Sequence, residues 1–286
     1  MTLMRNFSRV QRAWEGLQAL LMPTDWPARL AARAGVRDEV VRVDVDLTLA
    51  RSLGSAPSLR IAFAADFHAG PTTSQALIER ACDQLQRSQP DLILLGGDFV
   101  LVRAEYAERL VAPLAALHAP LGVFAVFGNH DHWAGLAVVE RALDRAGIAR
   151  LNNLSRRLPP PFEQTQIVGL DDHTSGHPDP DGPTWDASLA TVLLLHQPSG
   201  VLDAGDRPYD VALAGHTHGG QIVLPGGLAP VAPQGALSRR YRAGRYDLRA
   251  GRTLLVSRGI GHGALPFRIG APSDVILLTL HAGAPS

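Results

Sequence analysis

Short apolar runs at residues 59–65, 92–95 and 123–127 are separated by stretches whose apolar side chains recur at helical spacing, and this alternation narrows the fold more than any other feature. Residues 74–87 read as a helix, 104–117 as a helix interrupted at Pro113, and 135–146 as a third helix. Strands that are apolar along their whole length are covered on both faces. The β-α-β-α-β rhythm therefore predicts an α/β core with buried parallel strands. Ahead of it, residues 40–49 set Val41, Val43, Val45 and Leu47 against Arg42, Asp44, Asp46 and Thr48, the period of two that marks a strand with one solvated face.

The second half has a different texture. Strands are predicted at 167–170, 192–195, 211–214, 253–257 and 275–280 with little helix between them, while 171–183 and 224–245 are loops rich in Pro and Gly. Long loops inside a compact domain are functional or mobile. A chain of 286 residues suits one large domain or two small ones, and no linker separates two. The expected organisation is an N-terminal helical extension, residues 1–39, followed by one domain, residues 40–286. Within the extension Phe7, Val10, Trp14, Leu17 and Leu21 recur at helical spacing with Arg5, Arg9 and Arg12 among them. That pattern suits first a helix packed on its own domain, and as the alternative one lying on an anionic membrane surface.

Composition removes whole classes of function. Basic and acidic residues number 27 each, and a formal net charge of zero argues against a chain built to coat nucleic acid or acidic lipid. All 27 cationic residues are arginine. Without lysine there is no standard P-loop, no pyridoxal Schiff base and no protein-kinase centre. The single cysteine, Cys82, leaves no intrachain disulfide, Cys-rich zinc site or protein-ligated iron–sulfur cluster. No run approaches the ~18 apolar residues of a membrane span, and no secretory or twin-arginine signal is read at the start. The expected location is the cytoplasm, with peripheral contact at the inner membrane face through residues 1–22 as a further option.

Residue types that bind metals stand directly after the apolar runs. Asp66-Phe67-His68 follows 59–65, Gly97-Asp98 follows 92–95, and Gly128-Asn129-His130-Asp131 follows 123–127. His196 follows 192–195, and Gly215-His216-Thr217-His218 follows 211–214. Ligands of α/β sheets bind at the carboxyl ends of the strands, so five strands deliver carboxylates, an amide and imidazoles to one edge. Glycines 97, 128 and 215 let the backbone turn sharply close to a bound ion. Oxygen and imidazole ligands without thiolate favour Mn, Fe or Zn over Cu, with Mg also compatible.

This ordered set resembles that of the calcineurin-like metallophosphoesterases. Leu195-His196-Gln197-Pro198, the run from Gly215 to Gln221 and Val256-Ser257-Arg258-Gly259 look like the bacterial YkuE/YaeI-type phosphodiesterase branch, and the likeness runs from about Val40 to the C-terminus. It implies an α/β fold of four layers, an α-β-β-α sandwich of two mixed sheets flanked by helices. It implies a binuclear metal centre, with Asp66, His68, Asp98 and His218 on one ion and Asp98, Asn129, His196 and His216 on the other. Asp98 is then the bridging carboxylate, and hydrolysis of a phosphodiester or pyrophosphate proceeds by attack of a metal-bridging hydroxide. His130 is expected to neutralise charge or protonate the leaving group, with Asp131 orienting it and favouring the imidazolium. The expected partner is a small phosphodiester or pyrophosphate, including a lipid-linked one, rather than a long nucleic acid. Alternatives are a UDP-2,3-diacylglucosamine pyrophosphatase of lipid A synthesis, a role known among relatives, and a non-catalytic metal-binding scaffold. His132 and Trp133 line the pocket or neighbour it, Arg258 meets a phosphate or a salt-bridge partner, and His118, His173, His177 and His281 are structural or surface residues.

Overall fold

The computed structural model describes residues 17, 21–22, 24–35, 39–230, 237–263 and 265–283. In chain order its strands are β1 (Val40–Leu49), β2 (Ser58–Ala64), β3 (Leu92–Leu95), β4 (Val123–Ala125), β5 (Ala149–Arg150), β6 (Leu154–Arg157), β7 (Thr165–Gly169), β8 (Ala190–Leu194), β9 (Val211–Ala214), β10 (Gly244–Asp247), β11 (Thr253–Val256) and β12 (Ser273–Ala282). The helices are α1 (Trp26–Arg33), α2 (Gln75–Arg87), α3 (Glu108–Ala115), α4 (Asn129–Arg145) and the single turn α5 (Val201–Ala204). They build two six-stranded sheets, ordered β1-β12-β2-β3-β4-β5 and β10-β11-β9-β8-β7-β6. Both are mixed. β2 to β5 run parallel with β12 antiparallel to β2, and β7, β8, β9 and β11 run parallel with antiparallel β6 and β10 at the edges.

Alternation along the strands assigns the layers. In β2, Leu59, Ile61 and Phe63 enter the core between the sheets, while Ala62 and Ala64 face Leu77, Ile78 and Leu85 of α2. In β9, Val211 and Leu213 meet the first sheet, and Ala212 and Ala214 face outward beneath Tyr209, Val201 and Tyr241. Runs that look uniformly apolar in the sequence are thus two-faced strands with both faces buried. The sandwich is the four-layer one, although its outermost layer on the second sheet is mostly loop, with α5 its only α-helix among the described residues.

Some boundaries differ from expectation for identifiable reasons. Ser74 caps α2 by accepting a hydrogen bond from Leu77 N, so the helix proper starts at Gln75. The third helix is preceded by helical turns from Asn129: Gly135 (φ 133°) is non-helical and separates them from the expected segment, and the two pieces together make α4. The expected helix at 104–117 is a 3-10 turn followed by α3, with Pro113 inside it. Edge strands β5, β6 and β10 were not expected; β6 reads Leu-Ser-Arg-Arg and is largely exposed. The amphipathic segment at 7–21 falls outside the described residues except Leu17 and Leu21, both exposed. No helix among the described residues is long and apolar enough to cross a membrane.

Candidate metal centre

The carboxyl ends of β2, β3, β4, β8 and β9 meet at one edge of the sandwich. Asp66 N donates to Gly97 O at 2.8 Å, His68 N to Asp98 O at 3.0 Å and Gly215 N to His196 O at 2.8 Å, so the turns after β2 and β3 are bonded as one pair and those after β8 and β9 as another. Asp66, His68, Asp98, His216 and His218 all have positive φ, between 44° and 71°. This conformation is uncommon outside glycine, and clustered on one site it marks backbone held in place for function.

Two of the three glycines serve a purpose other than the expected one. A Cβ on Gly128 would strike the Asp98 carboxylate, and one on Gly215 would strike that of Asp66. Neither position needs a positive φ; glycine stands there because a buried carboxylate fills the space. Gly97 alone combines close approach with left-handed backbone (φ 83°).

Ring nitrogens and carboxylate oxygens converge inside this frame. Asp98 Oδ2 lies 3.4 Å from His68 Nε2 and 3.2 Å from His196 Nε2. His68 Nε2 is 3.0 Å from His218 Nε2, and each is 4.0 Å from Asp66 Oδ1. On the other side His196 Nε2 stands 3.0 Å from Asn129 Oδ1 and 3.2 Å from His216 Nδ1. The seven expected ligands are therefore brought together in two groups that share Asp98. Donor atoms about 2.1 Å from a common ion stand roughly 3.0–3.4 Å from one another, so most of these spacings suit ions between them.

Hydrogen bonding supports the same use. His196 Nδ1 lies 2.8 Å from Gly96 O, a contact that fixes the ring with Nε2 toward Asp98. The Asp66 carboxylate accepts His216 N at 2.9 Å, and Asp98 Oδ1 accepts His130 N at 2.8 Å, which leaves Asp98 Oδ2 for the centre. Burial first, with repulsion from neighbouring histidines and Arg268, holds His68 and His218 well below the ordinary imidazole range against the pull of Asp98, as neutral lone-pair donors. Burial opposes charge on His196 too, yet Asp98 and Asp66 push it up to about 10. The carboxylates thus draw positive charge into the centre, the demand that a cation meets.

His130 and Asp131 differ from expectation. The His130 ring packs edge-on against His68 (centroids 4.8 Å apart) and Trp133 (4.7 Å), and burial lowers its pKa below the ordinary value, against the pull of Asp98. Asp131 accepts backbone N–H groups of Phe99 (2.8 Å), Val100 (3.2 Å) and Gly128 (2.9 Å). Both its oxygens are thereby committed to bracing the turns after β3 and β4. The expectation that Asp131 orients His130 and favours its imidazolium is corrected accordingly.

The remaining candidates resolve into structural links. Arg258 pairs with Asp274 at 2.8 Å, so the salt bridge rather than a phosphate claims it. His132 pairs with Asp171 at 2.9 Å and His173 with Asp203 at 2.7 Å, tying the 171–183 loop to α4 and α5. Buried His262 joins the turn after β11 to Thr72 and Thr73. Sequence reasoning missed Arg268, whose guanidinium donates to His218 O at 3.1 Å and meets His218 Nδ1 at 3.2 Å. No motif flags it, because it reaches the centre from a loop fifty residues beyond His218.

The family described as Calcineurin-like phosphoesterase matches residues 59–220, the span that holds every residue of the two groups. Phosphodiesterase YaeI of Escherichia coli is 34% identical over 233 residues, covering 79% of this chain and 83% of the relative. The uncharacterized metallophosphoesterase YkuE of Bacillus subtilis is 34% identical over 204 residues, covering 68% of this chain and 70% of its own. A solved dimetal phosphatase from Danio rerio is 12% identical with a TM-score of 0.46, over 72% of this chain and 88% of that one. The chain belongs to the calcineurin-like phosphoesterase family, and so to the metal-dependent phosphoric ester hydrolases.

Proposed function

We propose that this protein hydrolyses a phosphodiester or a pyrophosphate with two divalent ions. Asp66, His68, Asp98 and His218 hold one, and Asp98, Asn129, His196 and His216 the other. The observation that carries the reading is Asp98 Oδ2, which stands between His68 Nε2 at 3.4 Å and His196 Nε2 at 3.2 Å, one carboxylate oxygen shared by two donor groups. Ions bound there supply Lewis acidity toward a phosphoryl oxygen and make water nucleophilic at neutral pH. Mn, Fe and Zn suit the donor set best, and Mg is compatible with it.

The chain's own residues then hold the substrate. His130, half-buried between His68 and Trp133, neutralises phosphoryl charge or protonates the leaving oxygen. Asp131 keeps the turns that carry Asp98 and Asn129 at fixed separation. The phosphodiesterase name of the Escherichia coli relative favours a diester over a monoester. Residues 40–286 act in this reading as one catalytic domain.

The test is turnover of bis-p-nitrophenyl phosphate beside p-nitrophenyl phosphate with added Mn²⁺, with Asp98→Ala as the blank. Diester hydrolysis that vanishes in the blank is expected. Well-folded, metal-loaded protein that turns over neither compound would overturn the reading.

A further inference from the structure

Large apolar side chains are normally exposed singly on a protein surface, and a contiguous group of them marks an interaction site. Trp26, Leu30, Leu224, Leu228, Leu265 and Ile269 are each between 42 and 64% exposed, and a chain of hydrogen bonds runs between the segments that carry them. Leu224 N donates to Leu228 O at 2.9 Å and Val223 N to Ile269 O at 2.7 Å, while Gln221 Nε2 donates to Leu265 O at 2.8 Å. Thr72 joins Gly263 at 2.9 Å, and its neighbour Pro71 accepts Ala28 N of α1 at 3.3 Å. The row borders the metal centre. Gln221 lies three residues beyond His218, and Arg268, between Leu265 and Ile269 in sequence, donates to His218 O.

Cations accompany it. On α1 the exposed residues are Trp26, Arg29, Leu30 and Arg33, one outward stripe at helical spacing, while Pro27 and Ala28 are buried. Arg239 and Arg240 are exposed, and Arg242 Nη1 donates to Gly227 O at 3.0 Å, in the turn that presents Leu224 and Leu228. Residues 211–274 contain eight arginines and two acidic residues, Asp247 and Asp274, which pair with Arg245 and Arg258, in a chain with no net charge. Asp25 pairs with Arg29 at 3.2 Å, which leaves Arg33, Arg239, Arg240 and Arg242 as the cations of the margin. Trp and Leu beside an excess of Arg is the side-chain set of a surface that enters the headgroup region of an anionic bilayer.

We propose that this margin docks the protein on an anionic phospholipid bilayer, with Leu224, Leu228, Leu265, Ile269, Trp26 and Leu30 entering it and the arginines meeting lipid phosphates. The surface is built from residues outside 1–22 and adjoins that segment where Trp26 Nε1 donates to Leu21 O at 3.2 Å. It brings the metal centre to the water–lipid boundary, and binding is read without turnover, so it stands apart from the substrate assignment.

The experiment is sedimentation of the full chain with phosphatidylcholine vesicles, with and without phosphatidylglycerol. Binding to the anionic vesicles that falls with salt is expected. Leu224→Ser/Leu228→Ser should weaken it about tenfold or more, and Arg239→Glu/Arg240→Glu should abolish the preference for phosphatidylglycerol. Hydrolysis of a soluble diester by both variants at the wild-type rate shows that they are folded and tests the enzymatic reading separately. No binding by the wild type, or equal binding by the leucine variant, overturns the proposal. So does light scattering that shows a dimer in the wild type and a monomer in the leucine variant without vesicle binding, since the face would then join two copies of the chain.

Discussion

Asp98 Oδ2 lies 3.2 Å from His196 Nε2, both side chains buried, and His196 is held in that orientation by the Gly96 carbonyl. In the proposed centre Asp98 belongs to both groups of donors, so its removal affects both ions. Asp98→Ala is expected to lower the metal content of purified protein from two ions per chain to one or none, measured by elemental analysis. Diester turnover should fall about 10³-fold or more, the scale of several kcal/mol of lost charge stabilisation. Full metal content in that variant would contradict the shared role.

In the proposed centre His130 belongs to neither donor set, although a ring nitrogen of it lies within 4.8 Å of the donor atoms of His68 and Asp98. His130→Ala should keep its metal and lose rate by roughly 10²- to 10⁴-fold, the range of acid–base groups. Trp133 packs against the ring at 4.7 Å, so Trp133→Ala should lower kcat by a smaller factor through loss of His130 position. Loss of metal from His130→Ala would make it a ligand instead.

Asp131 acts on the frame. Three backbone N–H groups share its two oxygens, and Asn in its place turns an amide NH₂ toward at least one of those donors. Burial and the neighbouring Asp98 push the Asp131 pKa up to about 7, so the cost is that of a buried backbone donor left facing an NH₂ group: Asp131→Asn should destabilise the fold by about 1–3 kcal/mol. Thermal unfolding reads this. Combined with His130→Ala, the two effects on rate should multiply; strong coupling between them would restore a catalytic pairing.

Arg268 fixes the ring of His218 through its guanidinium and holds the His218 carbonyl at 3.1 Å. Lysine keeps the charge and loses the planar fork. Arg268→Lys is expected to weaken metal affinity by roughly 10- to 100-fold, as removal of an outer partner of a ligand commonly does, with little change in the unfolding midpoint of metal-free protein. A chelator titration followed by activity measures the first effect, and differential scanning fluorimetry the second.

Much of the centre is legible in the sequence because each donor stands directly after an apolar run, and a strand end is the one place where a parallel sheet presents side chains to a ligand. Asp66, Asp98 and His216 are found this way. Arg268 and the Gly96 carbonyl are not, since a loop arginine and a main-chain oxygen carry no spacing signal. Asp131 shows the limit of motif reading. Its place beside His130 suggests a pair, but a helix turns consecutive side chains about 100° apart, and at the third position of α4 its carboxylate faces backbone amides. Edge strands such as β6 escape because four polar, exposed residues show no period to read.

The pair of His132 and Asp171, 2.9 Å apart with side chains 14% and 11% exposed, links α4 to the 171–183 loop and gives stability a pH dependence. Burial alone would raise the Asp171 pKa, but the hydrogen bond and charge of His132, with backbone bonds, bring it down to about 2. A folded pKa below the unfolded 3.8 gives stability that is complete above about 4 and is lost as pH falls through 2. Burial works against charge on His132 as well, yet Asp171 raises its pKa above 6.5, so that contribution is complete below 6.5 and is lost as pH rises through the raised value. Both groups are charged only between, so the pair stabilises most from about pH 4 to 6.5, by about 2 kcal/mol. The measurement is the unfolding midpoint of wild type and His132→Ala across pH 3 to 9 at constant ionic strength. The gap between them should be widest near pH 5 and narrow toward both ends; a gap constant from pH 5 to 9 would show that His132 acts there by packing alone.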